Sequence, residues 1–455
     1  MSNINEVDRI GTTNKRKILF SAPRLGSSIV LGIEGWALLT LYTSGYGLHP
    51  FLAGFSISMG YLTIAFSQFF LGWISDAKYT RWGRRKPYIL VFAPLLGISI
   101  IFLLLPGMLI DLSDKTLLFR WMLIWEIIFR ASYAVTTPYQ AWMAEEFPVE
   151  ERPKVSQFQN TFNYIGNGIM ALFSLIILTD FIKALKIDIN TPTPLDISIP
   201  IILFGILTTA LFYGVAFTMP TEPHYPIKSN LIDALKTIVK NRNFMLIVFM
   251  VGISGLGWSM LTSAMLKYLE DVLNLGTLDY IISSVALLLT IFIFLYLWRR
   301  MMQKQSKKKT LLKIFLLASI FLPVSLLGLI PMQSYLIIGI IFIVGIGAIL
   351  GGWYLFPYVI YADVAEDDEK STGELKAGIY AGFPSIILNI FQALGAFFVG
   401  SVLSLPHLVR HYVAEPYSFS IGLIIFGPVV SIILLISYFY TKKFITLDFD
   451  WEKKD

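Results

Sequence analysis

Three ionisable residues stand where the sequence is otherwise apolar. Glu34 lies inside SSIVLGIEGWALLTLY, and Glu126 and Arg130 lie inside LLFRWMLIWEIIFRASYAV. Charges in such surroundings are costly and are retained mainly for function. Glu34 has no partner within its own helix, so two chemistries are open to it. Burial disfavours the charged form, and an unpaired carboxylate can then take up and release a proton near neutral pH. Alternatively, Glu34 forms a fixed ion pair with Arg130 or with another helix. Glu126 and Arg130 are four apart with the acid first, the favourable order for a pair within one helix. That pair can simply neutralise itself.

Amides and hydroxyls recur at helical spacing around these charges. Ser156, Asn160, Asn163 and Asn167 follow at steps of four, three and four, which places them on one helix face. Ser385, Asn389 and Gln392 repeat the pattern, and Glu126, Arg130, Tyr133, Thr137 and Gln140 extend it. Tyr354, Tyr358 and Tyr361 add an aromatic face. A helix that faces only lipid has no use for amides. Taken together, the four faces predict a water-filled cavity lined by hydrogen-bonding groups. For any single residue the alternative is helix–helix glue, at about 0.6–2 kcal/mol per bond. Trp36, Trp258 and Trp353 lie in or beside these faces. Aromatic platforms suit the apolar faces of sugar rings, although most membrane tryptophans are belt or packing residues.

The elements that must carry these residues follow from composition. The chain is 56% hydrophobic and only 15% charged, against about 25% charged in soluble domains. A bilayer span needs about 20 apolar residues and must be helical to satisfy its backbone. Twelve spans are predicted: 25–46, 51–74, 88–110, 117–145, 154–179, 198–219, 242–268, 278–300, 311–331, 335–362, 377–404 and 417–440. The expected fold class is an all-α integral membrane protein of two six-helix bundles. The expected divisions are a tail at 1–24, a bundle at 25–220, a linker at 221–241, a bundle at 242–440 and a tail at 441–455. Placing both tails inside gives that side 29 of the 36 Lys and Arg residues, a strong positive-inside bias. The net charge of +6 belongs to this topology and calls for no nucleic-acid partner. The polar, basic first 24 residues do not read as a cleavable signal peptide. Without cysteines there is no thiolate or disulfide chemistry. The histidines (His49, His224, His407, His411) lie in loops or at span ends without metal-ligand spacing. No metal, no cofactor and no enzymatic activity is expected. The ends of spans four and ten, PYQAWMAEEF and PYVIYADVAED, echo each other as a repeat would.

The loop WISDAKYTRWGRRKPYIL (73–90) resembles the signature between helices two and three of the major facilitator transporters. More closely it resembles the glycoside–pentoside–hexuronide cation symporters, a family that includes melibiose permease and sucrose-transporter-like proteins. ADVAEDDEKSTGELKAGIYAGFPSIILNIFQALGAF (362–397) and TPYQAWMAEEFPVEERPKVSQFQNTF (137–162) resemble that family's 10–11 and 4–5 connections. The resemblance spans the chain and implies alternating access. It implies a cytoplasmic gate of Asp76, Arg81, Gly83, Arg84 and Arg85, with Glu145 and Asp363 as acidic partners. Asp76 would meet the start of helix eleven, where a carboxylate finds free N–H groups. The charged apparatus of the melibiose permease branch is replaced here. Ile64 and Gln68 stand at its sodium carboxylates, Thr136 at the helix-four acid, Asn160 at the helix-five Arg and Asn389 at the helix-eleven Lys. GIEGWALLTLY (32–42) is similar to helix one of the proton-coupled sucrose branch and its animal relatives, which implies a coupling role for Glu34.

The expectation is proton-coupled symport of a neutral di- or oligosaccharide or glycoside through the cell membrane, by a monomer. Glu34, Glu126 and Arg130 would handle the proton. Trp36, Tyr133, Thr136, Thr137, Gln140, Asn160, Asn163, Asn167, Trp258, Tyr354, Tyr358, Asn389 and Gln392 would line the substrate site. The alternative is an efflux facilitator for amphipathic molecules, which the amide stripes disfavour. A sensor would be expected to carry an output domain, and a membrane enzyme a catalytic fingerprint.

Overall fold

The computed structural model describes residues 13–148, 151–221, 239–353, 355–356, 360–361, 363–364, 367, 377–410 and 416–447. Nearly all of what is described is helical, as long runs of Leu, Ile, Val and Phe require where backbone groups must be satisfied internally. Among the described residues, eleven helices are long and apolar enough to cross a membrane. These include Asn14–Gly45, Pro50–Ser75, Lys154–Ile187, Arg242–Val272 and Phe383–Leu403. Span four, the twelfth, runs Lys115–Tyr133 and Thr136–Glu146. Its charges, Glu126 and Arg130 among them, keep its hydropathy low. It breaks at Ala134 and Val135, just before Pro138, which has no amide hydrogen to give the preceding turn.

Some boundaries differ from the sequence expectation. The first helical segment begins at Asn14, where the Thr13 hydroxyl caps it by accepting from the Arg16 N–H at 3.4 Å. Residues 417–420, expected to open the last span, instead form a strand. β1 (His407–Arg410) pairs antiparallel with β2 (Tyr417–Ser420), and the final helix starts at Gly422. The alternation Tyr-Ser-Phe-Ser is a period-two pattern that the apolar run behind it obscured.

Spans one and five, two and four, and three and six pack together. Spans seven and twelve, eight and ten, and nine and twelve do likewise. The seam between the first six spans and the last six is made mainly by span two against eleven and span one against seven. The even number of crossings puts the described chain ends on one side, here termed the tail face. The opposite side is the far face. Near the far face Gly54 and Gly400 let the backbones of spans two and eleven touch. A Cβ on Gly54 would sit 2.7 Å from both the Ala396 carbonyl and Gly400 Cα. Leu203, Ile206, Leu289, Ile320 and Ile337 point outward, as lipid-facing side chains must.

Candidate functional site

The three charges picked out from the sequence meet in one cluster. Arg130 Nη2 donates to both Glu34 oxygens at 2.6 Å, and its Nε donates to Glu126 Oε1 at 3.1 Å. Exposure is 1% for Glu34, 0% for Glu126 and 3% for Arg130. Glu34 is therefore held in an ion pair between helices. The Glu126–Arg130 pair forms but is not self-contained, because Glu34 shares its guanidinium. The two carboxyl groups lie within hydrogen-bonding reach of each other. Glu126 Oε2 is buried with no hydrogen-bond partner.

Helix geometry places each member. Glu126 and Arg130 share a face of span four, and Glu34 reaches them from span one. Span two passes closely because it has Gly60 there: any side chain at that position would collide with the Glu126 carboxylate. Next to it, the Tyr61 ring lies 4.1 Å from the Arg130 guanidinium. This cation–π contact supplies an aromatic face where water would otherwise solvate the charge. The Tyr61 hydroxyl comes close to Ser259 on span seven. Ser259 Oγ in turn donates to the Gln392 carbonyl of span eleven at 3.0 Å. Tyr61 and Ser259 were not singled out from the sequence. One tyrosine among 22, in an apolar run, carries no signal of its partners.

With two carboxylates and one guanidinium, the cluster holds a net charge of −1 when both acids are ionised. An unbalanced buried ion costs several kcal/mol. One bound proton brings the cluster to zero and turns the partnerless oxygen into a donor. The chemistry available is thus reversible binding of one proton.

The polar stripes are only partly free to meet a ligand. Ser28 donates to Asn163 Oδ1 at 2.5 Å, joining spans one and five. Gln140, with its amide oriented by its neighbours, accepts from Arg24, and the Thr136 hydroxyl donates to the Tyr133 carbonyl at 2.9 Å. Asn389 Nδ2 donates to the Ser385 carbonyl at 2.8 Å. Asn160 is exposed, and Thr137, Asn167 and Gln392 are half-buried. Tyr133 and Trp36 are buried. Trp258 and Trp353 pack on each other with ring centroids 5.5 Å apart. The Trp258 indole N–H is buried without a partner. Tyr354 and Tyr358 lie outside the described residues.

At the tail face the loop after span two makes a tight turn. Thr80 and Gly83 exchange backbone hydrogen bonds at 2.9 and 3.1 Å, and Gly83 has φ +92°, where a side chain is disfavoured. The Arg81 guanidinium lies over Trp82, whereas Arg84 and Arg85 are buried and Arg85 donates to Ser75 Oγ at 2.8 Å. Asp363 accepts from Lys307 at 2.7 Å, a pair within the last six spans. The side chains of Asp76 and Glu145 lie outside the described residues.

A cavity of about 540 Å³ opens instead at the far face, between the ends of spans one, five, seven and eleven. It lies away from the charged cluster and from the amide stripes. From the sequence, Lys267, Glu270 and Asp271 read as a solvated span end. In the structure Glu270 is 1% exposed and Lys267 is 6% exposed: Glu270 is met by Lys186 of span five and Tyr280 of span eight, and Lys267 by Ser44 of span one.

Comparison with known proteins places these features in a family. Residues 19–443 match the family described as MFS/sugar transport protein. An uncharacterized symporter of Synechocystis is 24% identical, with 88% of this chain and 87% of that protein covered. An uncharacterized symporter of Bacillus subtilis is 23% identical, with 96% and 92% covered. The crystal structure of a D-xylose–proton symporter superposes with a TM-score of 0.62 at 14% identity, covering 95% of this chain and 96% of that one.

Proposed function

The chain belongs to the MFS/sugar transport protein family of membrane transporters, and we propose that it is a proton-coupled symporter of a neutral sugar or glycoside. The observation that carries this reading is the buried triad with two carboxylates, one guanidinium and one partnerless carboxylate oxygen. The transported proton resides on Glu126, held against Glu34, while Arg130 fixes Glu34 in place. This moves the proton from Glu34, the group favoured by the sequence, to the neighbour whose oxygen is left over. Asn160, Asn167 and Gln392, with the Trp258 indole N–H, supply hydrogen bonds to hydroxyls. The sodium carboxylate positions hold Ile64, which is buried, and Gln68, which disfavours sodium coupling of the melibiose permease kind.

The tails and the loop carrying Arg81, Gly83, Arg84 and Arg85 face the cytoplasm of a cell membrane on the positive-inside argument. In that orientation the far face is external. Binding of substrate and proton together relieves the buried charge and allows the spans to rock about the central seam.

The test is external pH in a weakly buffered suspension of proteoliposomes, on addition of a panel of mono-, di- and trisaccharides and glycosides with and without sodium. Alkalinisation by one member, independent of sodium and lost in Glu126→Gln, is expected. Sodium-dependent uptake without proton movement would overturn the coupling assignment. No flux with any sugar would favour efflux of amphipathic molecules.

A further inference from the structure

The far-face cluster is built from both parts of the chain. From the second part come Lys267, Glu270 and Asp271 at the end of span seven. From the first part come Ser44 at the end of span one and Lys183 and Lys186 at the end of span five. Lys186 Nζ lies 2.7 Å from Asp271 Oδ1 and 3.1 Å from Glu270 Oε1. Lys267 Nζ lies 2.7 Å from Asp271 Oδ2, and Ser44 Oγ donates to the same oxygen at 2.9 Å. Lys267 also donates to Ser44. Lys183 Nζ donates to the Leu275 carbonyl at 2.7 Å. Within the second part, the Tyr280 hydroxyl donates to Glu270 Oε2 at 2.8 Å. Two of the three lysines, Lys186 and Lys267, balance the two carboxylates, while Lys183 serves a carbonyl, and five of these links cross the seam.

The backbone is shaped for this meeting. Spans one and seven both widen into a π-helical turn at the far face, Leu41–Gly45 and Tyr268–Val272. Those two turns carry Ser44, Glu270 and Asp271. Span five has its own π-helical turn, Phe173–Leu178, below Lys183 and Lys186. Such turns are rare and recur at functional sites. From β1, Arg410 donates to the Val272 carbonyl at 2.9 Å and to the Gly328 carbonyl. It is stacked on Tyr335 at 4.4 Å. The last residue of the span-seven turn is therefore also anchored from within the second part.

The geometry points to an ionic latch: Lys186, with Lys183 and Ser44, closes the far face against Asp271 and Glu270, and these links must part for that face to open. The latch is wet enough to release. The Lys186 side chain is 33% exposed and that of Asp271 13%, at the floor of the 540 Å³ cavity. Parted, Lys186 and Asp271 would pass into the water of that cavity, so their separation costs what a rim pair costs, while the buried Glu270 keeps the Tyr280 hydroxyl as its donor. Spans two and eleven, touching through Gly54 and Gly400, flank the same closure.

The chain has no cysteine, so a single introduced thiol reports opening directly. Gly35 suits this purpose, because a side chain there meets nothing within 4 Å. It lies nine residues below Ser44 on span one, about 13 Å deeper at the rise of a helix. Gly35→Cys would be labelled with a membrane-impermeant maleimide in intact cells and in inverted vesicles. Adding Lys186→Gln or Asp271→Asn should raise the labelling rate from the cavity side by about threefold and lower it from the tail side. Lys186→Arg should restore the parental rates. High salt should reproduce the Lys186→Gln effect in the Gly35→Cys chain itself, which tests the latch even if a charge-removing variant folds poorly. Equal rates in all variants and at both salt concentrations would overturn the latch. The readout needs neither substrate nor proton gradient, so it stands or falls apart from the transport assignment.

Discussion

Glu126→Gln is the most informative perturbation of the charged triad. The substitution keeps the size of the side chain, and the amide oxygen can still accept from Arg130 Nε, now 3.1 Å from Glu126 Oε1. The two 2.6 Å contacts from Arg130 to Glu34 are untouched. What changes is charge: the cluster goes from −1 to zero, the value one bound proton would give it. The variant is thus fixed in the proton-loaded state. A one-to-one symporter driven by a proton gradient of one pH unit has about 1.4 kcal/mol available, which is a tenfold accumulation of a neutral substrate. Proteoliposomes would be loaded to that gradient with the membrane potential clamped, using the saccharide that gives alkalinisation in the wild type. The unmodified protein should approach tenfold accumulation. Glu126→Gln should stop at equal concentrations inside and out, yet exchange labelled for unlabelled sugar at a rate that does not vary between acidic and alkaline buffer. Thermal stability should not fall, since a buried unbalanced charge has been removed. Accumulation near the wild-type ratio would refute the assignment of the proton to Glu126. A large loss of stability would refute the charge accounting behind it.

Further outcomes follow from the same contacts. Arg130→Met leaves two buried carboxylates without a cation and should destabilise the protein by about 3–5 kcal/mol, read as a lower unfolding temperature in detergent. Glu34→Gln breaks the inter-helix pair and should lower that temperature more than Glu126→Gln does; the reverse order would show that Glu126 is the anchored acid. Gly60→Val would drive a side chain into the Glu126 carboxylate and should abolish accumulation, whereas Gly35→Ala, which meets nothing, should leave transport unchanged. Arg410→Lys loses the fork that reaches Val272 and Gly328 and the stacking on Tyr335. It should lower the unfolding temperature by several degrees, since lysine cannot reproduce a planar, two-pronged donor.

Much of this protein was legible in its sequence. Apolar runs longer than a bilayer's thickness dictate helices, whatever they pack against, because an unsatisfied backbone in lipid is prohibitive. The spacing of Glu126 and Arg130 guaranteed one shared face, and the rarity of charge in such runs marked Glu34 before any partner was known. The RWGRR loop carried the family, and Gly83 in it answers to a local backbone conformation. These are one-dimensional facts: they depend on a helix period, a length or a neighbour a few residues away. Which oxygen is left over is a different matter. Arg130 could have matched Glu126 alone, and only the crossing of span one over span four, with Gly60 giving way, decided that Glu34 takes both short contacts. Asn163 had the spacing of a cavity lining, yet Ser28 from another helix claims it. Lys186 counted only as a cation outside the membrane until span five brought it to Asp271, 85 residues along the chain. The sequence by itself determined the helices, their number and the inventory of charge within them. The tertiary structure alone decided which charges balance, because pairing depends on distances of a few ångströms between residues whose separation along the chain does not encode them.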